Sequence, residues 1–196
     1  MPTTRWTVKV ASNPEEFEQI HRLNYRTFVE EIPQHPPNAE RRLVDRFHAE
    51  NTYCIGLDGT RVAGMLAIRG KRPFSLDSKV ADLDRWLPPD CRPCEIRLLA
   101  VEPRYRRGGL FATLLRFALN ECLRAGYTLA AISGTTRQAR LYAHMGFVPF
   151  GGLVGTPDAP YQPMLLSLRA AQPLLARLRC EPVGSTVHHG SKAEKC

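Results

Sequence analysis

Between Val101 and Ala112 the chain reads VEPRYRRGGLFA, with Arg104, Arg106, Arg107, Gly108 and Gly109 between an apolar run and a segment of helical pattern. A helix beginning at such a junction exposes unblocked backbone N–H groups at the positive end of its dipole, beside guanidinium groups. Glycine lets a bulky anion come close to the backbone, because no side chain stands in the way. Together these features suit a pyrophosphate. The same residues also read as a plain glycine turn flanked by solvated arginines, and local physics leaves both readings open.

The junction needs a strand before it and a helix after it. CEIRLLAVEP reads as the strand, LFATLLRFALNECLRAG as a helix ended by Gly126, and YTLAAIS as the next strand. TRQARLYAHMG then reads as a helix, with FVPFG and YQPMLLSLRA as the last strands. Upstream, WTVKVA is a strand. Asn13 caps a helix that has Pro14 in its first turn and runs toward Glu31. The prolines of IPQHPPN stop that helix, and ERRLVDRF reads as a further short one. Thr52–Leu57 and Val62–Arg69 form a hairpin through Asp58 and Gly59, and a short helix is expected around Lys79–Trp86. Alternation of strands and helices in the second half predicts an α/β (α+β) layered fold with at least one parallel strand pair.

A chain of 196 residues with 43% hydrophobic content suits one ordinary domain, expected over 1–180, with a polar, flexible tail over 181–196. The 27 Lys and Arg against 19 Asp and Glu give a net charge of +8, which favours anionic partners without choosing among them. The absence of a long apolar run or leader predicts a cytoplasmic protein without a transmembrane segment. The six cysteines are scattered, so reduced thiols are expected. Cys91 and Cys94 form a lone C-x-x-C without the second pair that a structural zinc needs, so no metal is expected. Cys122 lies on an apolar helix face and suits packing. His21 and His48 are candidate bases of low specificity.

The junction resembles the central motif of the GNAT acyltransferase superfamily, V-x-P-x-Y-R-G-x-G-[IL]-G-x-x-L-L. The matching residues are Val101, Pro103, Tyr105, Arg106, Gly109, Leu110, Leu114 and Leu115. Arg107 replaces the first glycine, and Phe111 stands where a small residue is usual. A second block, TRQARLYAHMGFVPFG, is similar to the superfamily's N-x-x-A-x-x-L-Y-x-x-x-G-F at Ala139, Leu141, Tyr142, Gly146 and Phe147, with Thr136 in place of Asn. The resemblance implies a GNAT fold, a central mixed twisted sheet of six to seven strands flanked by helices. It also implies an N-acyltransferase that takes acetyl-CoA or a longer acyl-CoA as cosubstrate. Donor-binding residues would be Leu99, Ala100, Val101, Arg106, Arg107, Gly108, Gly109, Leu110, Phe111, Ala112, Thr136 and Ala139.

Acyl transfer from a thioester needs a base, an oxyanion donor and an acid for the leaving thiolate. By resemblance, Glu95 is the candidate base and Tyr142 the candidate acid. A backbone N–H near Leu99 to Val101, where the family's strand bulges, is the oxyanion donor. The other readings are an ion pair of Glu95 with Arg97 or Arg92, and a core-edge tyrosine at 142.

The N-terminal half is similar, more weakly, to N-acyl amino acid synthases and autoinducer synthases. Its counterparts are Phe28, Asp45 and Phe47, whereas Asn24, His48 and Ala67 depart from the autoinducer pattern. That points away from homoserine lactone synthesis and keeps a longer acyl chain open, delivered by CoA or by acyl carrier protein. The acceptor would be a small-molecule amine or amino acid, with the protein a monomer or homodimer. A nucleic-acid partner is not expected, since no recognition motif accompanies the arginines. A non-catalytic GNAT-fold sensing or interaction protein is the remaining alternative.

Overall fold

The computed structural model describes residues 6–157 and 159–177; the expected tail over 181–196 lies outside them. Its framework is an eight-stranded mixed sheet. The strands are β1 (Thr7–Val10), β2 (Thr52–Asp58), β3 (Arg61–Arg69), β4 (Pro93–Val101), β5 (Leu129–Thr135), β6 (Val148–Pro149), β7 (Val154–Thr156) and β8 (Ala159–Ser167). Their order is β1-β2-β3-β4-β5-β8-β6, and β7 also pairs with β8. All pairings are antiparallel except β4 with β5. The short β7 takes the strand count one above the expected range.

Helix α1 (Pro14–Tyr25) continues through a π-helical turn to Glu31. Asn13 caps it as the sequence predicts, its Oδ1 accepting from the Glu16 N–H at 2.9 Å. Ile20 and Leu23 pack on one face of the sheet with Tyr53, Ile55, Met65 and Ala67. On the other face lies α2 (Leu110–Arg124), which buries Leu110, Leu114, Leu115, Ala118, Leu119 and Cys122 at helical spacing. Leu110 sits so close that a Cβ at Gly56 would lie 2.5 Å from its Cδ1. Gly56 is therefore a seat for the helix. Helix α3 (Ala139–His144) is short, and α4 (Leu168–Arg177) follows β8 directly.

Glu40–Phe47 does not form the expected short helix. Asp45 Oδ1 instead accepts from the Phe47 N–H at 2.9 Å, Asn51 Nδ2 at 2.9 Å and Arg97 Nη1 at 2.8 Å. The Phe47 ring lies under the guanidinium carbons of Arg69 at 3.7 Å and Arg97 at 4.9 Å. These tertiary contacts override a weak local helical preference. Within the segment expected to be helical around Lys79–Trp86, Leu83–Trp86 forms a 3₁₀ turn, and a second one, Leu76–Ser78, precedes it. None of the described helices is long and apolar enough to cross a membrane.

Candidate active site

Strand β4 builds the site by breaking its own regularity. Met65 pairs with Ala100 and Ala67 with Arg97, so two residues, Leu98 and Leu99, oppose Leu66 alone. The bulge places Leu98 at φ 56°, a left-handed conformation that costs a bulky side chain roughly 1–2 kcal/mol. On its other edge, β4 pairs with β5 only from Pro93–Leu129 to Glu95–Ala131. Beyond Glu95 the two strands part. A cavity of about 690 Å³ occupies the opening.

At one end of this cavity is the junction that the sequence singles out. Gly109 caps α2 at φ 81°, with no atom within 4 Å of where a Cβ would stand. The first-turn N–H groups of α2 are thus unobstructed. Leu99, Ala100, Val101, Arg106, Gly109, Phe111, Ala112 and Thr136 all line the cavity. Arg106 is held there by Val101 O at 2.8 Å and Glu31 Oε2 at 2.5 Å. Arg107, Gly108 and Ala139 lie off the cavity wall, and Leu110 is wholly buried in the core. Arg104 is turned aside, pairing with Glu102 at 3.6 Å and stacking over Tyr105.

Glu95 and Tyr142 both line the same cavity. Glu95 is 1% exposed, and its carboxylate accepts from the Ser75 N–H at 2.8 Å, Ser75 Oγ at 2.5 Å and the Leu76 N–H at 3.2 Å. Arg97 Nε stands 3.8 Å away. A carboxylate has roughly four lone-pair sites, so one acceptor position remains after these three hydrogen bonds. Tyr142 donates to Gln138 Oε1 at 3.1 Å. Burial pushes its pKa up to about 12, so the phenol keeps its proton across the neutral range. Its ring fits because residue 134 is glycine: a Cβ there would lie 2.8 Å from the Tyr142 ring.

Of the other expected counterparts, Phe28 lines the cavity, whereas Asp45 and Phe47 lie off its wall and contact Arg97, which does line it. Ala67 carries no guanidinium, but Arg69 on the same strand is 1% exposed and bonded to Glu50 Oε2 at 2.5 Å and Pro73 O at 2.8 Å. Lys79, Ser133 and Tyr161 also line the cavity. They come from a loop and two strands far apart in the chain, so no local motif marks them. Among the described residues, no group of three or more His, Cys, Asp or Glu side chains converges as metal ligands. Cys122 packs in the core with its Sγ 3.5 Å from that of Cys94.

The rings of His21 and His48 meet edge to face with centroids 4.7 Å apart, outside the cavity lining. Burial of His21, with the neighbouring His48 second, lowers its pKa from 6.5 to about 4. The folded value lies below the unfolded one, so the stabilisation is complete above pH 6.5 and is lost as pH falls toward 4. The loss reaches about 3 kcal/mol. Urea titrations of His21→Gln should show a flatter dependence of stability on pH over that window. A slope equal to that of the unsubstituted protein would remove His21 as its cause.

The mixed sheet with its bulged β4, its splayed β4–β5 pair and its glycine-capped α2 is the fold of GNAT acyltransferases. The chain belongs to the N-acyl amino acid synthase FeeM family, whose model matches residues 19–169. The fold agrees with that of a CoA-dependent acyl-homoserine lactone synthase, BjaI, solved with SAM and isopentyl-CoA (TM-score 0.74, 22% identity, 89% of each chain covered). It also agrees with FeeM, an N-acyl amino acid synthase from uncultured soil microbes (TM-score 0.70, 20% identity, 89% of this chain and 98% of that one). A putative N-acetyltransferase from Lactobacillus plantarum aligns with TM-score 0.62 and 18% identity over 83% of this chain and 98% of its own. No curated protein sequence is significantly similar to the chain.

Proposed function

We propose that the protein moves an acyl group from an acyl-CoA, or a related phosphopantetheine thioester on acyl carrier protein, to the amine of a small molecule or amino acid. The observation that carries this reading is the single cavity joining the α2 N-terminus to Glu95 and Tyr142 through the gap between β4 and β5. The donor pyrophosphate rests on the first-turn N–H groups of α2 and on Arg106. The amine nitrogen attacks the thioester carbon in a ternary complex. Glu95 accepts the amine proton at its remaining lone-pair site. Backbone N–H groups beyond the Leu98 bulge, where β4 has left β5, face the oxyanion. The tetrahedral intermediate then collapses, the C–S bond breaks with its electron pair on sulfur, and Tyr142 turns its O–H from Gln138 to the departing thiolate.

The acyl group is longer than acetyl in this reading. Phe28, Leu98, Leu99 and Phe111 give the wall an apolar surface. Each buried methylene should add about 0.8 kcal/mol until the space is filled, after which overpacking reverses the trend. Titrating a series from acetyl-CoA to palmitoyl-CoA tests this, with affinity expected to climb beyond four carbons. A maximum at acetyl or propionyl would overturn it and leave acetyl-CoA as the donor.

A further inference from the structure

On the α1 side of the sheet, past the point where β4 and β5 part, the cavity wall turns from apolar to polar. Ser133 lies on the same face of β5 as Ala131, which pairs with Glu95. On β8, Tyr161 stands diagonal to it, since Ser133 is paired with Pro163 and Thr135 with Tyr161. The hydroxyls of both Ser133 and Tyr161 are buried without a hydrogen-bond partner among the described residues. Above them the Lys79 ammonium is 5.5 Å from the Tyr161 ring centroid. Lys79 has no ion-pair partner among the described residues, unlike the Arg97 and Arg106 guanidiniums on the same cavity wall. Desolvation lowers its pKa even though much of its surface is accessible, as expected where the open side of the residue looks into a cavity.

Two buried hydroxyls lacking partners and one ammonium without an ion-pair contact among the described residues form an incomplete set. Hydroxyls donate to an anion's oxygens, and a single ammonium balances a single negative charge. A planar carboxylate supplies two acceptor oxygens and that one charge. A phosphate would bring more charge close to Glu95. We propose that Lys79, Ser133 and Tyr161 form a binding subsite for a substrate carboxylate, held beside Glu95 at the open end of the strands. The carboxylate comes from one of two sources, the α-carboxylate of an amino acid acceptor or the far end of a dicarboxylic acyl chain. The assignment of these sources rests on the acyl transfer reading above.

Calorimetric titration separates them without requiring turnover. One arm compares α-amino acids with their carboxamides, and the other compares succinyl-CoA with butyryl-CoA. At least about a tenfold preference for the charged member is expected in one pair, and that pair names the source. Lys79→Met should reduce the preference to within about threefold, while Ser133→Ala and Tyr161→Phe each weaken it in part. Absence of preference in both pairs, or a preference that survives Lys79→Met, would overturn the subsite. Failure of the acyl transfer reading would show separately, as no thiol release from any acyl-CoA and amine pair, with the calorimetric preference still deciding the subsite.

Discussion

Glu95→Gln is expected to lower kcat by about two to four orders of magnitude while leaving donor affinity nearly unchanged. An amide of the same shape cannot take the amine proton. It also has one oxygen where the carboxylate has two, so at least one of the three donors on Ser75 and Leu76 would then face an NH₂ group. Some loss of thermal stability should accompany the loss of rate. Ser75→Ala separates the two effects, because it removes one hydrogen bond to Glu95 and keeps the base, so its kcat should stay within about tenfold. Glu95→Gln turning over at the normal rate would place the base elsewhere.

Gly109→Val should weaken acyl-CoA binding by about two to three orders of magnitude. A β-branched residue resists φ 81°, so the turn must shift, carrying the first-turn N–H groups of α2 with it. The new side chain also stands on the cavity wall. No atom lies within 4 Å of the Cβ position, so the core is not struck and the protein should remain folded. Gly109→Ala should fall between the two. CoA affinity that is unchanged in Gly109→Val would remove the pyrophosphate from this turn.

Much of this architecture is legible in the sequence because its signals are local. The Asn13 cap, the turn at Gly59, the apolar face of α2 and the glycine junction each lie within a few adjacent residues. The misread segment, Glu40–Phe47, is shaped by Arg97 and Arg69, which lie far along the chain. The Leu98 bulge, expected near Leu99 to Val101 from the family resemblance alone, has no mark of its own in the residues, since the register of β3 imposes it. Arg107 and Arg106 are adjacent and chemically alike, yet only Arg106 lines the cavity. Its contacts with Glu31 and the Val101 carbonyl decide that, and Glu31 is supplied by the distant end of the first helix.

The three residue pairs that join β4 to β5 have a mechanical meaning as well. Among the described residues they are the sole ladder between a four-stranded half, β1 to β4, and the half formed by β5 to β8. The sheet is thus two plates fastened along a short seam, with Glu95 at the tip of the crack. A small rotation of one plate against the other would widen or narrow the mouth while leaving the antiparallel ladders within each plate intact. Amide hydrogens along the seam should exchange sooner than those in the middle of β2 and β3, and a ligand wedged in the crack should slow them.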